Sequence, residues 1–152
     1  MKRIVAEGID GASEHFHELV RESRNIDETH IYVGPVDIVI EDPVQVVNCF
    51  IRHNPADVLA TACTALKDFI LEGSWNGEVQ AVDNYLDCDV WLKDAEGAEL
   101  LTYEFAKAAF ILQYTAKRLD RPIGHLRLHV ENASLHKENF HQFFWCVEDR
   151  WD

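Results

Sequence analysis

Thiol, carboxylate, imidazole and guanidinium groups gather between Tyr85 and His136. Leu86-Asp87-Cys88-Asp89-Val90-Trp91-Leu92 sets a thiol between two carboxylates. Gly124-His125-Leu126-Arg127-Leu128-His129-Val130-Glu131-Asn132-Ala133-Ser134-Leu135-His136 follows, rich in imidazoles. A thiolate can attack an electrophilic ring carbon, but only when its pKa is depressed, usually by a nearby cation. Asp87 and Asp89 would instead disfavour a Cys88 thiolate, so a partly buried structural thiol is expected. His129, Asn132, Ser134 and His136 fall toward the end of a strand, where turns often build pockets. Asn132 or Ser134 would serve equally well as the cap of a following helix, and solvation alone accounts for Arg127 and His129 on the outer face of their strand. His129, His136, His141 and Cys146 lack a standard zinc spacing, so no metal site is expected. No cofactor is expected either.

The elements that must position these groups read as alternating helices and strands. Ser13 to Arg24 is expected as a helix capped by Ser13, with Phe16, Leu19 and Val20 on one face. His30–Val33 and Val36–Ile40 read as short strands around Gly34-Pro35. Val44 to Ile51, apolar and rich in β-branched residues, reads as a strand covered on both faces. Asn54-Pro55-Ala56-Asp57 starts a helix whose stripe of Val58, Leu59, Ala62, Cys63, Leu66, Phe69 and Ile70 is expected in the core. Val79 to Leu92 reads as one long strand, or two with a bend near Asp87, and Asp94 to Gly97 as a polar turn. Leu100 to Leu119 is apolar around most of its circumference and should lie centrally. Leu126, Leu128 and Val130 alternate with Arg127, His129 and Glu131, the pattern of a half-buried strand. A last helix is expected from about Leu135 to Val147.

The bulk numbers fit one soluble domain spanning 1–152. Of its 152 residues, 47% are hydrophobic and 27% charged, with no apolar run long enough for a membrane span. The start of the chain has no apolar signal core, so a cytoplasmic location is expected. The formal charge of -13 opposes phosphate-rich polymers, which disfavours nucleic-acid binding and would suit a basic protein partner. Cys49, Cys63, Cys88 and Cys146 show no CxxC spacing and are expected as reduced, mostly buried thiols.

The order of these pieces resembles the thymidylate synthase and deoxycytidylate hydroxymethylase family, phage-type. Gly34-Pro35-Val36-Asp37-Ile38-Val39-Ile40-Glu41-Asp42-Pro43 is similar to the family's opening strand, and Asn54-Pro55 to its early asparagine-proline helix. The Tyr85–His136 segment resembles the Arg-Ser-x-Asp strand, the buried helix, and the strand ending in Asp-Ala-His-x-Tyr. The resemblance implies an α/β (α+β) fold: a truncated thymidylate synthase-like domain with a single mixed or antiparallel sheet packed by helices.

The polar anchors differ. Asp87 and Cys88 precede Asp89 where the family has Arg-Ser, so the phosphate-gripping arginine is missing. Asn132-Ala133-Ser134-Leu135-His136 stands where Asp-Ala-His-x-Tyr holds the ribose hydroxyl. Tyr103-Glu104-Phe105 falls at the residue that reads the pyrimidine edge, where Glu104 would suit an amino-bearing ring; it would equally serve as an acid at a helix N-terminus. The family is longer, and its Pro-Cys nucleophile loop has no counterpart here. The expectation is a non-catalytic protein that binds a nucleotide-like small molecule through Asp89, Glu104, Asn132, Ser134 and His136, with Cys88 and His129 nearby. A phage regulator or counter-defence protein would fit that description. Two alternatives follow from the same resemblance: an active pyrimidine-nucleotide C5 methyl- or hydroxymethyltransferase with a rearranged site, and a homodimeric interaction module, since family members dimerise through the sheet face.

Overall fold

The computed structural model describes residues 2–73 and 75–139. The strands are β1 (Lys2–Ala6), β2 (Asn25–Ile26), β3 (His30–Ile40), β4 (Gly77–Val82), β5 (Tyr85–Glu96) and β6 (Ile123–His136). The helices are α1 (Ile9–Glu22), α2 (Pro43–His53), α3 (Ala56–Glu72) and α4 (Phe105–Leu119). A π-helical turn, Leu100–Glu104, leads into α4. The strands form one six-stranded sheet in the order β1-β3-β6-β5-β4, with β2 beside the start of β3. The sheet is mixed: β1–β3 and β5–β6 run parallel, the other pairs antiparallel. The fold is therefore α+β, as expected.

The core lies between one sheet face and the helices. Ile4, Val36, Ile38, Ile40, Leu86, Cys88, Val90, Leu126, Leu128 and Val130 supply the sheet side, and Phe16, Phe50, Phe105 and Leu112 the helix side. The segment expected as the central helix is fully buried at Leu100, Leu101, Phe105, Ile111 and Leu112. β5, α4 and β6 make a parallel strand–helix–strand unit, which fixes β6 beside β5.

Several expected elements take a different form. Val44–Ile51 is helical, not a strand, within α2. Its buried residues Pro43, Val46, Val47 and Phe50 recur at helical spacing, and packing against α4 and β6 overrides the β-branched propensity. α1 begins at Ile9, so Ser13 is buried inside the helix rather than capping it. Asn54 ends α2 in the left-handed region and makes no side-chain cap for α3. α3 packs on α4, outside the sheet layer. Val58 and Ala62 are its buried residues, while Cys63 and Ile70 are exposed. Val79–Leu92 is two antiparallel strands that turn at Asp83, whose φ is 56°, not at Asp87. Asp94–Glu96 continues β5 instead of turning, and β6 runs on through His136. The expected last helix lies largely outside the described residues.

Cysteine pairing also departs from expectation. Cys63 and Cys88 are free, but Cys49 is disulfide-bonded. Sequence spacing carries no information on which thiols a fold brings within bonding reach. Cys146 lies outside the described residues. No helix among the described residues is long and apolar enough to cross a membrane.

Candidate functional site

Alternation along the strands sends every second side chain to the face opposite the core. No helix covers that face among the described residues. It carries Asp37 of β3, Arg127 and His129 of β6, Asp87, Asp89 and Trp91 of β5, and Gln80 of β4. Register brings them together: Asp37 pairs with His129, and Trp91 with His129. One step along, Val39 pairs with Arg127, and Arg127 with Asp89.

These residues form a continuous polar chain across four strands. The Arg127 guanidinium donates from Nε to Asp89 Oδ1 at 2.9 Å and from Nη2 to Asp89 Oδ2 at 3.2 Å. Nη2 also reaches Asp87 Oδ2 at 3.1 Å. The fork geometry of arginine matches a carboxylate this way and little else does. Asp87 Oδ1 accepts the His125 backbone N–H at 2.8 Å. A Cβ at Gly124 would lie 2.1 Å from that same oxygen, so glycine is what lets the carboxylate approach the backbone.

His129 sits between two carboxylates. Its Nδ1 lies 2.9 Å from Asp37 Oδ1 and its Nε2 2.8 Å from Asp89 Oδ1. An ionised carboxylate only accepts, so both contacts are hydrogen bonds only when both ring nitrogens donate, which favours the imidazolium form. Burial pushes the His129 pKa down, but the bonds and charges of Asp89 and Asp37 outweigh it and raise it above the usual histidine value. Burial likewise pushes the Asp89 carboxyl up. The bonds from Arg127 and His129, the Arg127 charge and a bond from Gln80 win, and leave it below the usual carboxylate range. Hydrogen bonding to Asp89 raises the Arg127 guanidinium further.

Trp91 stacks on the His129 ring, with centroids 5.6 Å apart and planes 23° off parallel. Its side chain is nevertheless half exposed, at 51%. Beside it lies a cavity of about 450 Å³ whose lining includes Pro35, Asp37, Trp91, Lys93, His129 and Glu131. A flat aromatic platform stacked on an imidazole, with a carboxylate and a lysine lining the same cavity, can hold a planar ring that bears polar substituents.

The expected site residues are only partly brought together. Asp89 and His129 meet directly. Cys88 lies between Asp87 and Asp89 in the chain but points into the core, fully buried, and burial followed by the Asp89 charge pushes its thiol well above the ordinary range. Asn132 stays in β6 and donates to Asp94 Oδ1 at 3.1 Å, so it caps no helix. Ser134 pairs with Tyr32 and Glu96 in the ladder. The His136 backbone N–H donates to Glu96 Oε2 at 2.9 Å, and its ring meets His30 edge-on. Glu104 is separated from all of these: it ends the π-helical turn and pairs with Lys107 at 2.9 Å.

Asp37, Trp91, Arg127 and Lys93 complete the face. The alternation of β6 placed Arg127 on it with His129, but no local signal in β3 reveals that Asp37 would oppose His129. Among the described residues no group of His, Cys, Asp or Glu is placed to hold a metal ion. A comparison with protein-family models finds none that matches the chain, and a comparison with curated proteins finds no match.

Proposed function

We propose that the protein is a non-catalytic binding protein whose sheet face opposite the core takes a nucleotide-like small molecule at the Trp91 cavity. The observation that carries this reading is the half-exposed Trp91 ring, stacked on His129 and lining one cavity with Asp37 and Lys93. A base would stack on Trp91, an amino edge would donate to Asp37, and Lys93 would meet a phosphate. The pocket expected around Glu104, Asn132, Ser134 and His136 is replaced in this reading by one centred on His129, two strand positions from Asp89. Cys88 supports the absence of transferase chemistry, because a core-facing thiol held protonated has neither access nor nucleophilic character. A degenerate thymidylate synthase-like descendant, regulating or sequestering a phage or host nucleotide, fits these features. A thermal-shift series with nucleoside monophosphates, cyclic dinucleotides and folates tests it. A ligand at 100 times its dissociation constant should stabilise the fold by about 2.7 kcal/mol, and a panel without any shift contradicts the reading.

A homodimer through the same face is the second reading. On it, Asp37, Glu78, Asp87, Asp89 and Glu131 stand against Arg3, Lys93, Arg127 and protonated His129. This face is close to neutral in a chain of formal charge -13, so it is where two copies repel least. Val5 and Trp91 add apolar surface. Sedimentation at micromolar concentration separates the readings: a monomer removes the homodimer and leaves the cavity free.

A further inference from the structure

We propose that His129 is a positioning residue, a protonated strut that ties β3, β6 and β5 together and sets the plane of the Trp91 platform, so that binding on this face is coupled to one proton. The inference deepens the binding function proposed above and names its regulation.

The geometry carries it. Both His129 nitrogens face carboxylate oxygens within 2.9 Å. A neutral imidazole has one N–H, so on losing its proton it must turn a lone pair toward either Asp37 or Asp89. Two acceptors cannot share that contact, and the ring has to rotate or withdraw. Asp89 keeps its bidentate Arg127, whereas among the described residues the Asp37 carboxylate has His129 as its hydrogen-bond partner, so the tie to β3 is the one that yields. Trp91 rests on the same ring. It loses a cation beneath its face together with its packing partner's orientation.

Other charged groups near His129 do not duplicate its role. From β5, Lys93 reaches the cavity, and from β6, Glu131. From β1, Arg3 stands beside Asp37 in the ladder, and from β4, Glu78 stands beside Asp89. Arg127 is committed to Asp87 and Asp89. His125 and Asp87 lie at the Arg127 end of the chain. Among these, His129 is the group with a charge change near neutrality that contacts Trp91.

Trp91 emission in the full chain tests the strut, read as the difference between wild type and Trp91→Phe because the chain has four tryptophans. The expected result is a one-proton transition with a midpoint above the ordinary histidine value of 6.5. It should vanish in His129→Asn and move down toward 6.5 in Asp37→Asn. If His129→Asn does not fold, the ring-proton NMR shift of His129 in wild type and Asp37→Asn reads the same midpoints. A flat emission profile, or a transition that persists without His129, overturns the proposal.

Deoxycytidine monophosphate then serves as the binding probe. Its dissociation constant should rise about tenfold for each pH unit above the midpoint. Equal affinity well below and well above the midpoint read from Trp91 emission overturns the coupling while leaving the binding reading intact. An emission transition with no nucleotide bound at any pH keeps the strut and removes the binding reading.

Discussion

Asp89 and His129, forty residues apart in the chain, meet at 2.8 Å on the sheet face opposite the core. The parallel pairing of β5 with β6 puts Trp91 beside His129 and Asp89 beside Arg127. One carboxylate thereby holds two cations, and its second cation supports an aromatic ring. The arrangement concentrates charge on the sheet face that no helix covers among the described residues.

Replacing Arg127 by Ala should destabilise the fold by about 2–3 kcal/mol, below the range for fully buried pairs because the side chain keeps partial exposure. Asp87 and Asp89 would then face each other without their cation. Urea unfolding measures the loss. Adding Asp87→Asn and Asp89→Asn to Arg127→Met should recover part of it, since the uncompensated charges are gone. A fully stable Arg127→Ala would show that the guanidinium contributes nothing net.

Gly124→Ala forces a methyl to within 2.1 Å of Asp87 Oδ1 and 3.2 Å of the Leu86 carbonyl. A cost of about 1–3 kcal/mol is expected from this overpacking. Combining it with Asp87→Ser, which shortens the opposing side chain, should give a loss smaller than the sum of the two single changes. Strict additivity in that cycle contradicts the contact.

Stability should peak at mildly acidic pH. The Asp89 pKa is lowered on folding, so its contribution is present above 3.8 and is lost as pH falls through the lower folded value. The His129 pKa is raised, so its contribution is full below 6.5 and is lost as pH rises through the higher folded value. The two leave a window between these limits. His129→Gln should flatten the alkaline limb of the profile and Asp89→Asn the acidic limb, both read from urea midpoints.

Thiol reactivity should separate the two free cysteines among the described residues. Cys63 is exposed and should alkylate in the native state, whereas Cys88 is buried and should react only on unfolding. Mass spectrometry after brief iodoacetamide treatment reads this directly. Native labelling of Cys88 would reopen the transferase reading.

What the sequence displayed and what it concealed follow from range. The alternation of Leu126, Leu128 and Val130 is local, and β6 appears where that pattern places it. The apolar circumference of Leu100–Leu119 is also local, and that segment lies in the core. Val44–Ile51 misleads because β-branched residues suggest a strand while Pro43, Val46, Val47 and Phe50 keep helical spacing; burial against α4 decides for the helix. The site depended on pairings between distant strands. His129 and Asp89 were legible as polar groups near a strand end, but the bond between His129 and Asp37 spans 92 positions and needs the β3–β6 register. Glu104 drew attention through a motif position, yet the fold places it on the helix layer with Lys107.

The most direct test of the binding face is titration calorimetry of wild type and Trp91→Ala with the nucleoside monophosphates at about pH 6, where His129 is protonated. A base stacked on Trp91 accounts for about 1–3 kcal/mol, so the substitution should weaken binding at least about fivefold while leaving the circular dichroism unchanged. Binding of equal strength in Trp91→Ala, or none in wild type, would contradict a nucleotide site on this face.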